Sequence, residues 1–180
     1  MRTIATLDLK NYEPDWRRYR RFAVRAVIFR DTELIMVRSS KDGFYKFPGG
    51  GIERGESHLD TLIRETKEEL GLNILPESVH PLGRVREIRK SIYNNHEIFD
   101  HTSYYYYAKT GDIISETNLD TYEAELGFEF ACVSPQLACR ENRRIYDEKQ
   151  ADFLRREIFV LEWIMKKHHS PAPHNRKVPH

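Results

Sequence analysis

At 180 residues, with 32% charged and 39% hydrophobic residues, the chain has the size and balance of one soluble globular domain with a real core. The net charge of +1 excludes a global attraction to nucleic acid and speaks against such a partner. No stretch approaches the roughly 18 apolar residues of a membrane span. The first residues carry no apolar run of signal-peptide length, and Cys132 and Cys139 are not spaced as metal ligands, so we expect reduced thiols in a cytoplasmic protein.

In chain order, residues 1–21 read as an N-terminal extension in which 3–9 (TIATLDL) alternates weakly, as an edge strand would. Segment 16–22 (WRRYRRF) carries four arginines and three aromatics. It could hold phosphates or RNA, or be a solvated approach to the first core strand. Strands are expected over Ala23–Phe29 and Glu33–Arg38, turning at Arg30–Thr32. A loop follows at 39–49, and Pro48 leads into Gly49, Gly50 and Gly51, where the backbone can turn tightly and approach a ligand.

The next element is a helix over 58–70. Ser57 and Asp60 have the spacing of a capping box, and Gly71 suits a left-handed end. Leu59, Leu62, Ile63, Thr66 and Leu70 form an apolar stripe. Glu65, Glu68 and Glu69 share another face, where like charges destabilise a helix by roughly 0.2–0.5 kcal/mol per pair. Such a face calls for a cation. All-carboxylate donors suit Mg²⁺ or Mn²⁺, and the absence of His and Cys argues against zinc. Arg64 is placed to orient a carboxylate through its planar fork.

Beyond this helix, Pro76 sits in a connection. Leu82–Ile92 and Glu97–Lys109 read as a hairpin turning at residues 93–96, and 110–121 as a polar loop around Gly111. Phe128–Val133 is another strand, a short helix starts after Ser134–Pro135, and a last helix runs over 147–168, acidic at its start and basic at its end. That helix is apolar on most sides, which core packing explains and which leaves a homodimer open. Residues 170–180 are proline-rich and basic, and we expect a disordered tail. This order gives an α/β (α+β) sandwich with a mixed sheet.

Residues 50–72 resemble the signature of the Nudix hydrolases. Gly50, Glu56, Arg64, Glu65, Glu68, Glu69, Gly71 and Leu72 fill its fixed positions with the family's gaps. Only Thr66 departs, standing where the family has a bulky aliphatic; its hydroxyl could bond the backbone one turn back. The resemblance implies the Nudix fold over 22–169, a mixed sheet between helices. It implies cleavage of a nucleoside diphosphate linked to another group, by water attack at phosphorus. It also implies that Glu65, Glu68, Glu69 and the Gly49 carbonyl hold Mg²⁺ or Mn²⁺, that Arg64 orients Glu65, and that Gly50, Glu56 and Gly71 shape the motif.

In the family the general base comes from this helix, hence Glu68, or from a later loop. Of Glu123, Glu125 and Glu129, Glu125 is favoured because Gly127 beside it lets the chain bend. Glu87 and Glu97 are expected to pair with nearby Arg or Lys instead. His96 and His101 are expected on polar surface. Phe44, Tyr45, Tyr104 and Tyr106 are candidates for stacking on a base or sugar. The spacing markers of the ADP-ribose and dinucleoside polyphosphate subfamilies would fall at Glu87 and at Arg89–Lys90, and neither is met. That leans toward nucleoside triphosphates, a small-molecule substrate, with a non-catalytic nucleotide sensor as the alternative.

Overall fold

Both faces of the central sheet are covered, and this explains the sequence pattern of its middle strands. A computed structural model describes residues 1–113 and 116–168. Its strands are β1 (Thr3–Asp8), β2 (Arg17–Arg30), β3 (Glu33–Ser39), β4 (Tyr45–Lys46), β5 (Leu72–Ile74), β6 (His80–Lys90), β7 (Glu97–Ala108), β8 (Thr110–Ile113) and β9 (Phe128–Val133). The helices are α1 (His58–Leu70), α2 (Thr121–Glu125), α3 (Pro135–Lys149) and α4 (Phe153–His168). The main sheet runs β1-β6-β7-β2-β3-β4, with β9 also paired to β3. β1–β6 and β2–β7 are parallel and the other pairs antiparallel, so the sheet is mixed as expected.

Ala23 to Ile28 are buried without alternation, because α1 lies against one face of the sheet and α4 against the other. His58 at the start of α1 meets Tyr104 and Tyr106 of β7. Arg156 of α4 pairs with Glu87 of β6 on the opposite face. No helix among the described residues is long and apolar enough to cross a membrane.

Three expected stretches come out differently in the structure. β2 begins at Arg17, so the basic-aromatic segment is strand rather than its approach. The expected polar loop at 110–121 opens with β8, which pairs with β5; strands of three and four residues are too short to show a period. The helix expected over 147–168 is two helices. α3 runs to Lys149 and ends at Gln150, whose φ of 52° is left-handed and whose N–H bonds the Tyr146 carbonyl at 2.8 Å. Asp147 and Glu148 therefore close α3 instead of opening α4, and Glu148 is held by Arg144 at 2.9 Å. The expected tail at 170–180 lies outside the described residues.

Candidate active site

The glycine loop and α1 form as their sequence requires. Ser57 and Asp60 make the reciprocal capping box, and Gly71 takes φ 66° at the helix end. At Gly49, φ is 130° and a Cβ would collide with the Val24 carbonyl; at Gly50 it would collide with the Glu65 carboxylate. The loop can pass between β2 and α1 only without side chains.

Arg64 gathers three carboxylates. Its Nε and Nη2 donate to the two oxygens of Glu56 at 2.7 and 3.0 Å, and its Nη1 donates to Glu65 at 2.8 Å and Glu68 at 3.1 Å. The guanidinium holds the Glu56 carboxyl down at about 2, and the Glu56 carboxylate in turn raises the Arg64 pKa. Arg64 thus binds the Glu65 carboxylate, and that of Glu68 as well.

Carboxylate oxygens of Glu65, Glu69 and Glu123 lie within 4.8 Å of one another. Glu69 is fully buried, accepts the Gly49 N–H at 2.8 Å, and meets Lys46 Nζ at 2.5 Å. That ammonium is 3.8 Å from Glu123 and lies over the Phe128 ring. Burial, then the charge of Glu69, raises the Glu65 pKa and takes Glu123 up to about 7. Three hard oxygen donors whose negative charge is incompletely neutralised fit a divalent cation such as Mg²⁺ or Mn²⁺.

Three sequence expectations shift here. Glu68, expected among the ligands, stands beside the cluster with its side chain 35% exposed and bound to Arg64. The Gly49 carbonyl accepts from the guanidinium of Arg25, a residue the sequence reading passed over. Glu125 is exposed on α2, while Glu123 is the α2 carboxylate that joins the cluster. The missed signal was Asp120 with Glu123, a second capping box. It starts a helix and turns Glu123 inward, while Gly127 at φ 60° lies just past the helix end.

The cluster opens into a cleft of about 870 Å³ on the α4 side of the sheet. Arg17, Arg21 and Arg25 of β2 line it with Arg89, Arg156 and Lys46. Glu87 holds Arg89 at 2.8 Å and Arg156 at 3.0 Å, and Glu97 lies 3.8 Å from Arg17, the pairing expected of both. Arg25 faces Glu65 and donates to the Phe47 and Gly49 carbonyls, whereas Arg21 has no carboxylate partner among these contacts; burial followed by repulsion from Arg25 and Arg156 lowers the Arg21 pKa. His101, expected on the surface, is 2% exposed beneath the cleft, with Nε2 at 2.8 Å from the Ser103 hydroxyl. Burial, with four arginines nearby, drives its pKa well below the usual histidine value.

The aromatic candidates divide. Phe44 lines the cleft but is 4% exposed, edge-packed on Phe128 and Phe153, so it is wall rather than platform. Tyr45 is absent from the cleft lining; its backbone N–H and C=O are both satisfied by Asn142 at 2.8 Å. Tyr104 and Tyr106 lie on the far face against His58. The exposed aromatics at the cleft are Tyr19, Tyr93 and Tyr122, at 45%, 77% and 62%.

The NUDIX domain profile matches residues 19–156, which contain the carboxylate cluster and all of the cleft lining but Arg17. The chain belongs to the Nudix family. Among similar proteins, an RNA pyrophosphohydrolase of Campylobacter jejuni subsp. doylei is 38% identical over 68 residues, 34% of this chain and 38% of that one. YjhB of Bacillus subtilis (strain 168), provisionally named an ADP-ribose pyrophosphatase, is 36% identical over 53 residues, 29% of this chain and 26% of that one. The match thus spans well under half the length of these relatives. A NUDIX hydrolase from Nitrosomonas europaea shares the fold with TM-score 0.54 at 20% identity, over 69% of this chain and 79% of that one. The E. coli ORF135 protein gives 0.51 at 20% identity, over 88% and 96%.

Proposed function

We propose that this Nudix protein hydrolyses a diphosphate bond in a nucleoside 5′-polyphosphate, a nucleoside triphosphate being the simplest substrate. The observation that carries the reading is the junction of a three-carboxylate cluster with a cleft whose arginines include Arg21, which has no carboxylate partner. Carboxylates alone would repel a polyphosphate, whereas a cation site beside a free guanidinium group attracts one.

In this reading Glu65, Glu69 and Glu123 hold Mg²⁺ or Mn²⁺. Such a cation, when bound, neutralises phosphoryl oxygens and acidifies a water. Arg64 fixes the Glu65 and Glu68 carboxylates, so neither must reorganise during reaction. Arg21 holds phosphate oxygens, and the exposed phenol rings at the mouth offer faces to a base. Free Cys132 and Cys139 suit a reducing, cytoplasmic compartment.

A panel of nucleoside triphosphates, ADP-ribose and dinucleoside polyphosphates, assayed with Mg²⁺ and Mn²⁺, tests the assignment. We expect cleavage of nucleoside triphosphates that requires the metal. Glu123→Gln should lower turnover at least about 100-fold and Glu125→Gln should leave it intact. Equal losses in the two variants would remove Glu123 from its role, and silence across the panel would favour a nucleotide sensor.

A further inference from the structure

A lysine stands where the carboxylate cluster would receive its ion. Glu69 is fully buried, and one of its oxygens is taken by the Gly49 N–H at 2.8 Å. Its Oε1 is the atom left for an ion, and Lys46 Nζ lies 2.5 Å from it. The contact is an ion pair without hydrogen-bond geometry, so Oε1 is a buried oxygen with a charge beside it and no donor aimed at it. The same ammonium is 3.8 Å from Glu123. It therefore stands against two of the three clustered carboxylates, and an ion coming from the cleft meets Oε1 only once the ammonium has left.

The fold fixes the root of this side chain and leaves its end free to swing. On β4, Lys46 pairs with Val37 of β3. Asn142 of α3 binds the N–H and C=O of Tyr45, both at 2.8 Å, and Glu157 of α4 accepts the Phe47 N–H at 3.0 Å. Two helices thus clamp the backbone on either side of Lys46. Its stem has four carbons and rotates freely, and the ammonium lies 4.4 Å from the centroid of the Phe128 ring, whose face favours a cation. Lys46 also lines the cleft that holds Arg21. Mg²⁺ binds carboxylate oxygens at about 2.1 Å, closer than the ammonium stands. A divalent ion and an ammonium on one buried oxygen would repel strongly, so one excludes the other.

We propose that Lys46 is the resting counter-ion of the cluster, which yields its place when a divalent cation binds and turns into the cleft to hold a phosphate oxygen of the substrate. With Glu65, Glu69 and Glu123 committed to the ion, the cleft is the direction left to an ammonium rooted on β4 beside Phe128. Lys46 then has two opposite effects. It weakens the hold of the empty site on the ion, and it strengthens the hold of the loaded site on a polyphosphate. Ion and polyphosphate favour the same displaced position of one side chain, so each raises the affinity of the other. The inference rests on the reading of the cluster as the cation site of a polyphosphate hydrolase.

The test is calorimetric titration of the full chain with Mn²⁺ in the absence of nucleotide. Lys46→Met removes the charge from a stem of similar length, and we expect it to bind Mn²⁺ at least about 10-fold more tightly than the wild type. Lys46→Arg, which keeps the charge, should show no such gain. In EDTA, Lys46→Met should melt below the wild type, because its carboxylates have lost their counter-ion, and Mn²⁺ should raise its melting temperature by more. At saturating Mn²⁺, its KM for a nucleoside triphosphate should rise about 10-fold with kcat little changed. Mn²⁺ affinity that Lys46→Met leaves unchanged or lowers would overturn the proposal and leave the cation site in place. A tighter Mn²⁺ site with an unchanged KM would overturn the phosphate contact and keep the displacement. No Mn²⁺ binding by any form of the chain would remove the cation reading and the proposal together. Tighter Mn²⁺ binding by Lys46→Met in a chain that cleaves no diphosphate would remove the hydrolase reading and leave the displacement standing.

Discussion

The loop-helix and the first half of β2 handle charge in opposite ways. On the loop-helix, negative charge is concentrated and answered in part by near neighbours: Arg64 binds Glu56, Glu65 and Glu68, and Lys46 of β4 meets Glu69. On β2, positive charge is concentrated and only partly answered, by Asp100 and distantly by Glu97. A region that neutralises its own charge is prepared to hold a fixed geometry. A region that leaves charge open is prepared to receive something from outside.

Within the acidic half, the structure separates carboxylates that the sequence had treated as equals. Glu69→Gln should have the largest effect of any single change, at least about 100-fold in turnover, with loss of Mn²⁺ binding by titration calorimetry. Glu68→Gln should cost distinctly less, because its carboxylate stands half-exposed outside the cluster. Equal losses in the two would restore Glu68 to the metal site and break the distinction.

In the basic half, Arg21→Ala should raise KM for a nucleoside triphosphate about 10-fold with little change in kcat, since a cation that holds phosphate equally in ground and transition states contributes uniform binding. A fall in kcat at constant KM would instead place Arg21 at the developing charge.

How much of this was legible follows the same division. The loop-helix could be read because its constraints are local: caps, glycines and carboxylate spacing all lie within 23 residues. The strand could not, because whether Arg21 is solvated or cleft-lining depends on its pairing opposite His101, 80 residues away. Glu123 was ranked behind Glu125 because its partners, Glu69 and Lys46, lie far from it in the chain. The tyrosine run showed the strand but not the faces; Tyr105 proved to be core, Tyr104 and Tyr106 supports for His58.

The cationic surroundings of His101 add a pH dependence opposite in sign to that of the raised Glu65 and Glu123 carboxyls in the acidic half. Its folded pKa is depressed by burial and by Arg156, Arg21, Arg25 and Arg89, while the unfolded value stays near the ordinary 6.5. Below about pH 6.5 the unfolded chain binds a proton that the folded one refuses. Stability should therefore fall with pH, by up to about 1.4 kcal/mol per unit, until the folded group titrates. Denaturant midpoints at pH 8 and pH 5.5 measure the loss, and His101→Gln should make the protein relatively more stable at pH 5.5 than the wild type is. An unchanged slope in that variant would assign the dependence to other groups.

The smallest effect returns to the acidic half and to its one departure from the family signature. Thr66 is fully buried on α1, and its hydroxyl has no hydrogen-bond partner; the back-bond expected from the sequence is not made. A buried hydroxyl left unsatisfied costs about 1–3 kcal/mol, whereas its methyl group packs as an aliphatic would. Thr66→Val keeps shape and β-branching while removing the unpaired oxygen. It should stabilise the protein by about 1 kcal/mol, read as a higher denaturant midpoint at unchanged slope. Because Thr66 lies among the apolar residues of α1 rather than in the carboxylate cluster, turnover should stay the same. Destabilisation would mean that the hydroxyl finds a partner in solution. A changed turnover would mean that packing beneath α1 sets the spacing of Glu65 and Glu69, and that the acidic half is less self-contained than its internal ion pairs imply.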